Sequence, residues 1–166
     1  MKGKYTQIVR IERIQNERWY IQYLAHRHQF YTRLNAHTER RLYHGCPESA
    51  ANSIPAECFN RSLAGVNGNR KSILVCWSLV FVLIGTIYGV GAYFSSEAVY
   101  SHGYALENSR NERHMFIARV LIGNTTIGNS SMKKPPAGYD STTDGRNILV
   151  TYHDAQAYAE YLIIYK

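Results

Sequence analysis

Cysteine is scarce in this sequence: three copies, Cys46, Cys58 and Cys76, an odd count at unpaired spacing. That excludes a disulfide framework and points to a reducing compartment. No Cys-x-x-Cys or His-Glu-x-x-His pattern accompanies the seven histidines, so no metal site is expected. A Walker loop, a serine-nucleophile elbow and a full dinucleotide fingerprint are also missing. Gly89-Val90-Gly91 lacks the third glycine and the helix that would follow it. No internal repeat stands out. No apolar segment follows the basic N-terminus, so no secretory leader is expected and the sequons at Asn60, Asn124 and Asn129 carry no weight. The longest apolar run, residues 73–84, falls short of the about 20 residues a spanning helix needs. A buried strand or core helix is the expectation there, although Arg70 and Lys71 would suit an anchor.

Acidic residues are outnumbered, 12 against 19 basic, for a net charge of +7. Such a charge favours anionic partners, nucleotides among them. The basic residues are scattered apart from Glu39-Arg40-Arg41 and Lys133-Lys134, so no motif indicates nucleic-acid binding. What the chain has in abundance is tyrosine, with 14 copies, able to serve as half-buried core or as flat stacking surfaces.

The length suits one domain with a sizeable core. Residues 5–15 alternate at the two-residue period of a strand. Asn16 then suits a helix cap with Glu17 in the first turn, and Trp19, Tyr23, Phe30 and Leu34 recur at helical spacing to about residue 36. Residues 41–44 read as a short strand and 48–57 as a helix with Pro55 near its end. Gly65, Asn67, Gly68 and Asn69 mark a loop over 62–69. Residues 114–122 alternate again. Residues 124–147 read as one long loop, followed by strands at 148–152 and 158–165 around a turn at His153-Asp154. Many strands, few helices and mixed order predict an α+β fold.

The stretch around which these segments gather is Leu42-Tyr43-His44-Gly45, a short apolar run ending on a histidine and a glycine. Histidine offers a ring donor or acceptor near neutral pH, and glycine admits a close approach to the backbone. Arg41-Leu42-Tyr43-His44-Gly45, Phe59-Asn60-Arg61-Ser62-Leu63-Ala64-Gly65, Tyr88-Gly89-Val90-Gly91-Ala92-Tyr93-Phe94 and Tyr158-Ala159-Glu160-Tyr161-Leu162-Ile163 follow one another in this order. Together with the opening strand at Ile8-Val9-Arg10-Ile11, they resemble the catalytic domain of the poly(ADP-ribose) polymerase family, in particular its mono-ADP-ribosylating, macrodomain-containing branch.

The resemblance implies an ADP-ribosyltransferase-like fold with a mixed, mostly antiparallel split sheet. It implies NAD as co-substrate, no metal, and transfer of one ADP-ribose unit to acceptor proteins, itself among them. By the same resemblance, His44 binds a ribose hydroxyl, Gly45 holds the nicotinamide carboxamide through its backbone and Ser101 through its hydroxyl. Tyr104 stacks on the ring, Tyr93 flanks the pocket, and Arg61 lies near the adenosine end. Ser101 and Tyr104 fall eight and eleven residues after Tyr93, as the family pattern implies. Cys46 stands where a serine or threonine is usual, which would weaken a hydrogen bond. Ile148 occupies the position of the glutamate of polymer-forming members. An isoleucine cannot polarise an acceptor hydroxyl, so single-unit transfer is implied.

Val90 stands where a lysine is usual, and Met1 stands close to the opening strand, so an element of the family's domain is expected to be lacking. An atypical apolar insert at about 70–87 interrupts the donor loop and could also be read as a retained intron. These departures support a second reading, a domain that binds NAD or a partner without turnover. A membrane-tethered form rests on the apolar run alone and is not the expectation. Nucleus and cytoplasm are both compatible, since no targeting run is present.

Overall fold

The computed structural model describes residues 3–59 and 86–166. The expected loop at 62–69 and the apolar run at 73–84 lie outside the described residues, as does all of the insert before Thr86. Thr86 to Tyr88 form a turn.

The opening strand β1 spans Ile8–Arg13, shorter at both ends than its alternation suggests. Helix α1 spans Glu17–Leu34. Its cap is the expected one: the Asn16 side chain accepts from the Trp19 backbone N–H at 3.2 Å, satisfying an otherwise orphan donor. The helix ends where Asn35 turns left-handed at φ 48°. Of its apolar positions, Tyr23 and Phe30 are buried, and each such burial contributes about 1.5–3 kcal/mol. They pack on Leu121 and Tyr158 of the sheet. The Tyr23 hydroxyl donates to Glu39 at 2.6 Å.

Strand β2 spans Glu39–Cys46, longer than expected, and α2 spans Glu48–Glu57 with Pro55 near its end. Two elements had no visible period in the sequence: strand β3, Ala92–Ser95, and helix α3, Ala98–His102. Strand β4 is Arg113–Leu121. The stretch 124–147 is not one loop. It contains two three-residue strands, β5 at Thr125–Ile127 and β6 at Ser141–Thr143, built from β-branched residues suited to a pleated surface. Strand β7, Ile148–Thr151, and strand β8, Ala157–Tyr165, follow, joined through a 3-10 turn at Asp154–Gln156.

Among the described residues, eight strands lie in one sheet, in the order β1-β8-β4-β2-β3-β7-β6-β5. Its pairs are antiparallel except β5 with β6. This is the expected α+β, mostly antiparallel sheet with few helices. The main core lies under α2, where Leu42, Phe94, Phe116 and Leu162 meet Ile54.

The β4–β8 ladder is interrupted between Ile117 and Ala118, where Glu160 is the extra residue of a bulge. Its buried carboxylate accepts from Arg41 Nε and Arg119 Nε, each at 2.9 Å. Burial alone would raise the carboxyl, but the two guanidiniums outweigh it and hold it below the usual carboxylate range. Glu160 is thus a cross-strand tie.

Candidate functional site

Strand β2 is paired with β4 along its whole length, from Glu39↔Leu121 to Cys46↔His114. Its pairing with β3 is a single position, Tyr43↔Ser95. Beyond Tyr43 the two strands part, and the sheet is forked. Helix α3 is seated against the fork. A Cβ on Gly45 would stand 1.8 Å from the Ser101 carbonyl oxygen and 3.1 Å from the Ala105 nitrogen. Glycine is therefore required here by the helix resting on the strand, a more demanding reason than ligand access. Ser101 is buried, and its hydroxyl donates to the Tyr43 carbonyl at 3.1 Å. Two residues far apart in the chain are thereby held in contact.

Strand alternation sends the His44 ring to the other face, among Phe59 and Phe94, with centroids at 5.1 and 5.6 Å. Its Nδ1 lies 2.7 Å from the Tyr93 carbonyl oxygen. A carbonyl only accepts, so Nδ1 carries the proton and Nε2 keeps a lone pair. Burial lowers the affinity of the half-buried ring for a second proton, and the Tyr93 carbonyl opposes this only in part. The ring is neutral at pH 7, oriented by one nitrogen and an acceptor at the other.

The Tyr93 hydroxyl donates to the Gly89 carbonyl at 2.8 Å and accepts from the Tyr88 N–H at 3.0 Å. Burial holds its proton more firmly than in a free phenol. With the hydroxyl committed to its own turn, the ring is what Tyr93 presents to its surroundings. That turn is braced from beneath: Thr142 Oγ1 donates to the Tyr88 carbonyl at 2.6 Å and lies 2.8 Å from the Tyr152 hydroxyl. Gly89 adopts φ 128°, which a side chain would resist.

Tyr104 follows α3 and its hydroxyl lies 2.9 Å from that of Tyr100. Ile148 opens β7 opposite Ser95 and is buried against Tyr88, Tyr93 and Tyr100. Its backbone is fixed by Asp144, whose Oδ1 accepts from the N–H groups of Arg146, Asn147 and Ile148 at 2.9–3.0 Å. Tyr88, Tyr100 and Ile148 line a cleft of about 560 Å³, with Glu97 and Arg146 at its rim.

The structure thus gathers His44, Gly45, Tyr93, Ser101, Tyr104 and Ile148 around one fork through a closed chain of contacts. Cys46 is placed differently. It is 3% exposed, on the His44 face of β2 and within the main core, and burial pushes its thiol up to about 12. Arg61 lies outside the described residues. The sequence reading named Tyr88 within a motif but did not single out Tyr100, Thr142 or Asp144. Asp144-Gly145 was a legible turn signal, and Tyr100 stands four residues before Tyr104. Among the described residues, no group of three His, Cys, Asp or Glu side chains could hold a metal, and no helix is long and apolar enough to cross a membrane.

A forked, mostly antiparallel sheet with a short helix seated on a His-Gly strand end defines an α+β domain of the ADP-ribosyltransferase type. Residues 1–147 match the family model of the poly(ADP-ribose) polymerase catalytic domain, and the chain belongs to that family. It is 34% identical over 172 residues to the protein mono-ADP-ribosyltransferase PARP10 of Mus musculus, covering 96% of this chain and 16% of that protein. It is 31% identical over 177 residues to the protein mono-ADP-ribosyltransferase PARP14 of Homo sapiens, covering 98% of this chain and 9% of that protein. It is 32% identical over 137 residues to the protein mono-ADP-ribosyltransferase PARP12 of Mus musculus, covering 76% and 17%. The chain spans less than a fifth of the length of these curated relatives.

Proposed function

We propose that this chain is an NAD-dependent protein mono-ADP-ribosyltransferase, moving one ADP-ribose unit onto protein side chains and releasing nicotinamide. The observation that carries the reading is the fork between β2 and β3, with Gly45, Ser101 and Tyr104 on its α3 side and His44 bonded across it to Tyr93. The residues present fit NAD as substrate: a strand end, a hydroxyl and tyrosine rings for a flat carboxamide-bearing ring, and a neutral imidazole acceptor for a ribose hydroxyl. In the reaction the bond between nicotinamide and ribose breaks with its electron pair going to nicotinamide, while an ionised acceptor carboxylate bonds to the ribose carbon; a protonated acceptor would pass its proton to water.

The chain's own residues then act by holding geometry. Ser101 and Gly45 orient the carboxamide. Tyr104 and Tyr93 confine the ring, and His44 Nε2 accepts from the ribose. Orientation of this kind converts binding into rate without a proton-transfer group on the protein. Ile148 places an apolar side chain, among tyrosine rings, where a carboxylate would be needed to activate a hydroxyl of a growing chain. Single-unit transfer follows from that. An acidic side chain of the acceptor can bring its own carboxylate.

The test is incorporation of labelled ADP-ribose from NAD by the purified chain, with His44→Ala beside it. Label at one unit per site, lost in the variant, is the expected outcome. A folded, soluble chain that binds NAD and incorporates no label would instead establish the binding module without turnover.

A further inference from the structure

We infer that Tyr100 is a positioning residue, which fixes the ring of Tyr104 by a hydroxyl-to-hydroxyl hydrogen bond and ties it to strand β7. The inference rests on the NAD-transferase reading of the same site and adds a residue to it.

Tyr100 lies in α3 and Tyr104 just past its end, and the chain leaving the helix brings the two side chains together. Their hydroxyls are 2.9 Å apart, and their rings meet at 5.4 Å between centroids with 46° between planes. Neither ring stacks flat on the other, and the hydroxyl pair joins the two at their tips. The Tyr100 ring is itself held. It packs on the cluster of Ile148, Val150 and Tyr152 with Tyr88 and Tyr93 beside it. Burial, with the Tyr104 hydroxyl adding to it, keeps the Tyr100 phenol protonated well beyond its ordinary range, so the hydroxyl pair persists through physiological pH.

The geometry has a consequence for binding. Ser101 ties α3 to β2, and Tyr100 ties the same helix to β7 on the other side of the fork. Tyr104 is carried on that bridge. A ring that must lie parallel to a flat ligand gains from being fixed beforehand, because no rotamer freedom is then lost on binding. The apolar Ile148 suits the arrangement, since a charged side chain at that place would lie against the Tyr100 ring. Tyr100 also lines the cleft in which Ile148 stands, so an acceptor segment there would touch the residue that holds Tyr104.

The experiment uses the full chain, with nicotinamide binding measured by calorimetry and NAD turnover by nicotinamide release. Tyr100→Phe keeps the ring and removes the hydroxyl. We expect nicotinamide to bind about fivefold more weakly and the KM for NAD to rise by the same factor, the loss of one neutral hydrogen bond, with kcat within about twofold of the parent. Tyr104→Phe removes the same bond from its other side, so the losses of nicotinamide binding in the two single variants should fall short of adding in the double variant. Tyr104→Ala removes the stacking ring and should lose nicotinamide binding altogether. Wild-type affinity in Tyr100→Phe, or single losses that multiply in the double variant, would overturn the assignment while leaving the transferase reading intact. A parent chain that neither binds nicotinamide nor consumes NAD would overturn both together.

Discussion

Gly45→Ala is the most informative single change to make in this molecule. The added methyl would stand 1.8 Å from the Ser101 carbonyl oxygen, 2.8 Å from its carbon and 3.1 Å from the Ala105 nitrogen. All three are backbone atoms, so no side chain can swing away. Restoring an ordinary separation of about 3.4 Å needs a displacement of more than 1 Å between β2 and α3. Overpacking of this size costs about 1–3 kcal/mol, which in a domain of this length lowers Tm by about 2–12 °C. The effect on turnover should be larger than the effect on stability. The Ser101 hydroxyl would leave the Tyr43 carbonyl, now 3.1 Å away, and Tyr104 would move with it. A misplacement near 1 Å costs on the order of 100-fold in rate. The assay pairs a thermal melt with nicotinamide release at saturating NAD. Gly103→Ala is the control, since its Cβ would find only the Tyr100 carbonyl at 3.4 Å. A Gly45→Ala chain with the parental Tm and parental turnover would refute the idea that α3 is held against the strand by this contact.

Ile148→Glu should not confer chain elongation. The site is 4% exposed and faces tyrosine rings, so the carboxyl would be buried and held protonated, at a stability cost of about 2–4 kcal/mol; long polymer on a gel would contradict this. Stability should also fall as pH drops from about 7 to 5. Burial depresses the proton affinity of His26, His44, His102 and His114 in the folded chain, so the unfolded chain takes up protons first, from about 6.5 downward. The stability these neutral rings contribute is fully present above that value and lost below it. A Tm that is flat or rises over this interval would count against it.

The long periodic elements were legible in the sequence because each carries its own signal. The alternation over 114–122 became β4, and Asn16 became the cap of α1. The short ones were not. Strand β3 and helix α3 span four and five residues, too few for any period to emerge, and they exist because the sheet and Ile148's cluster hold them. Strands β5 and β6 were hidden in a stretch whose glycine and proline content reads as loop. Their Thr-Thr-Ile and Ser-Thr-Thr cores were the one available hint. At the site, the spacing of Tyr93, Ser101 and Tyr104 was legible, and the structure brings the three residues to one fork. What spacing could not convey was the geometry: that Gly45 is needed by a helix, that the Tyr93 hydroxyl is turned back into its own loop, and that Cys46 faces the core.

The lone Tyr43–Ser95 pair also has a mechanical meaning. A ladder bonded along its length resists bending everywhere, whereas a junction of one rung is a pivot. The halves β1-β8-β4-β2 and β3-β7-β6-β5 share that one backbone rung, so their mutual angle depends on side-chain contacts rather than on a ladder. The His44–Tyr93 and Ser101–Tyr43 bonds act as stays on the pivot.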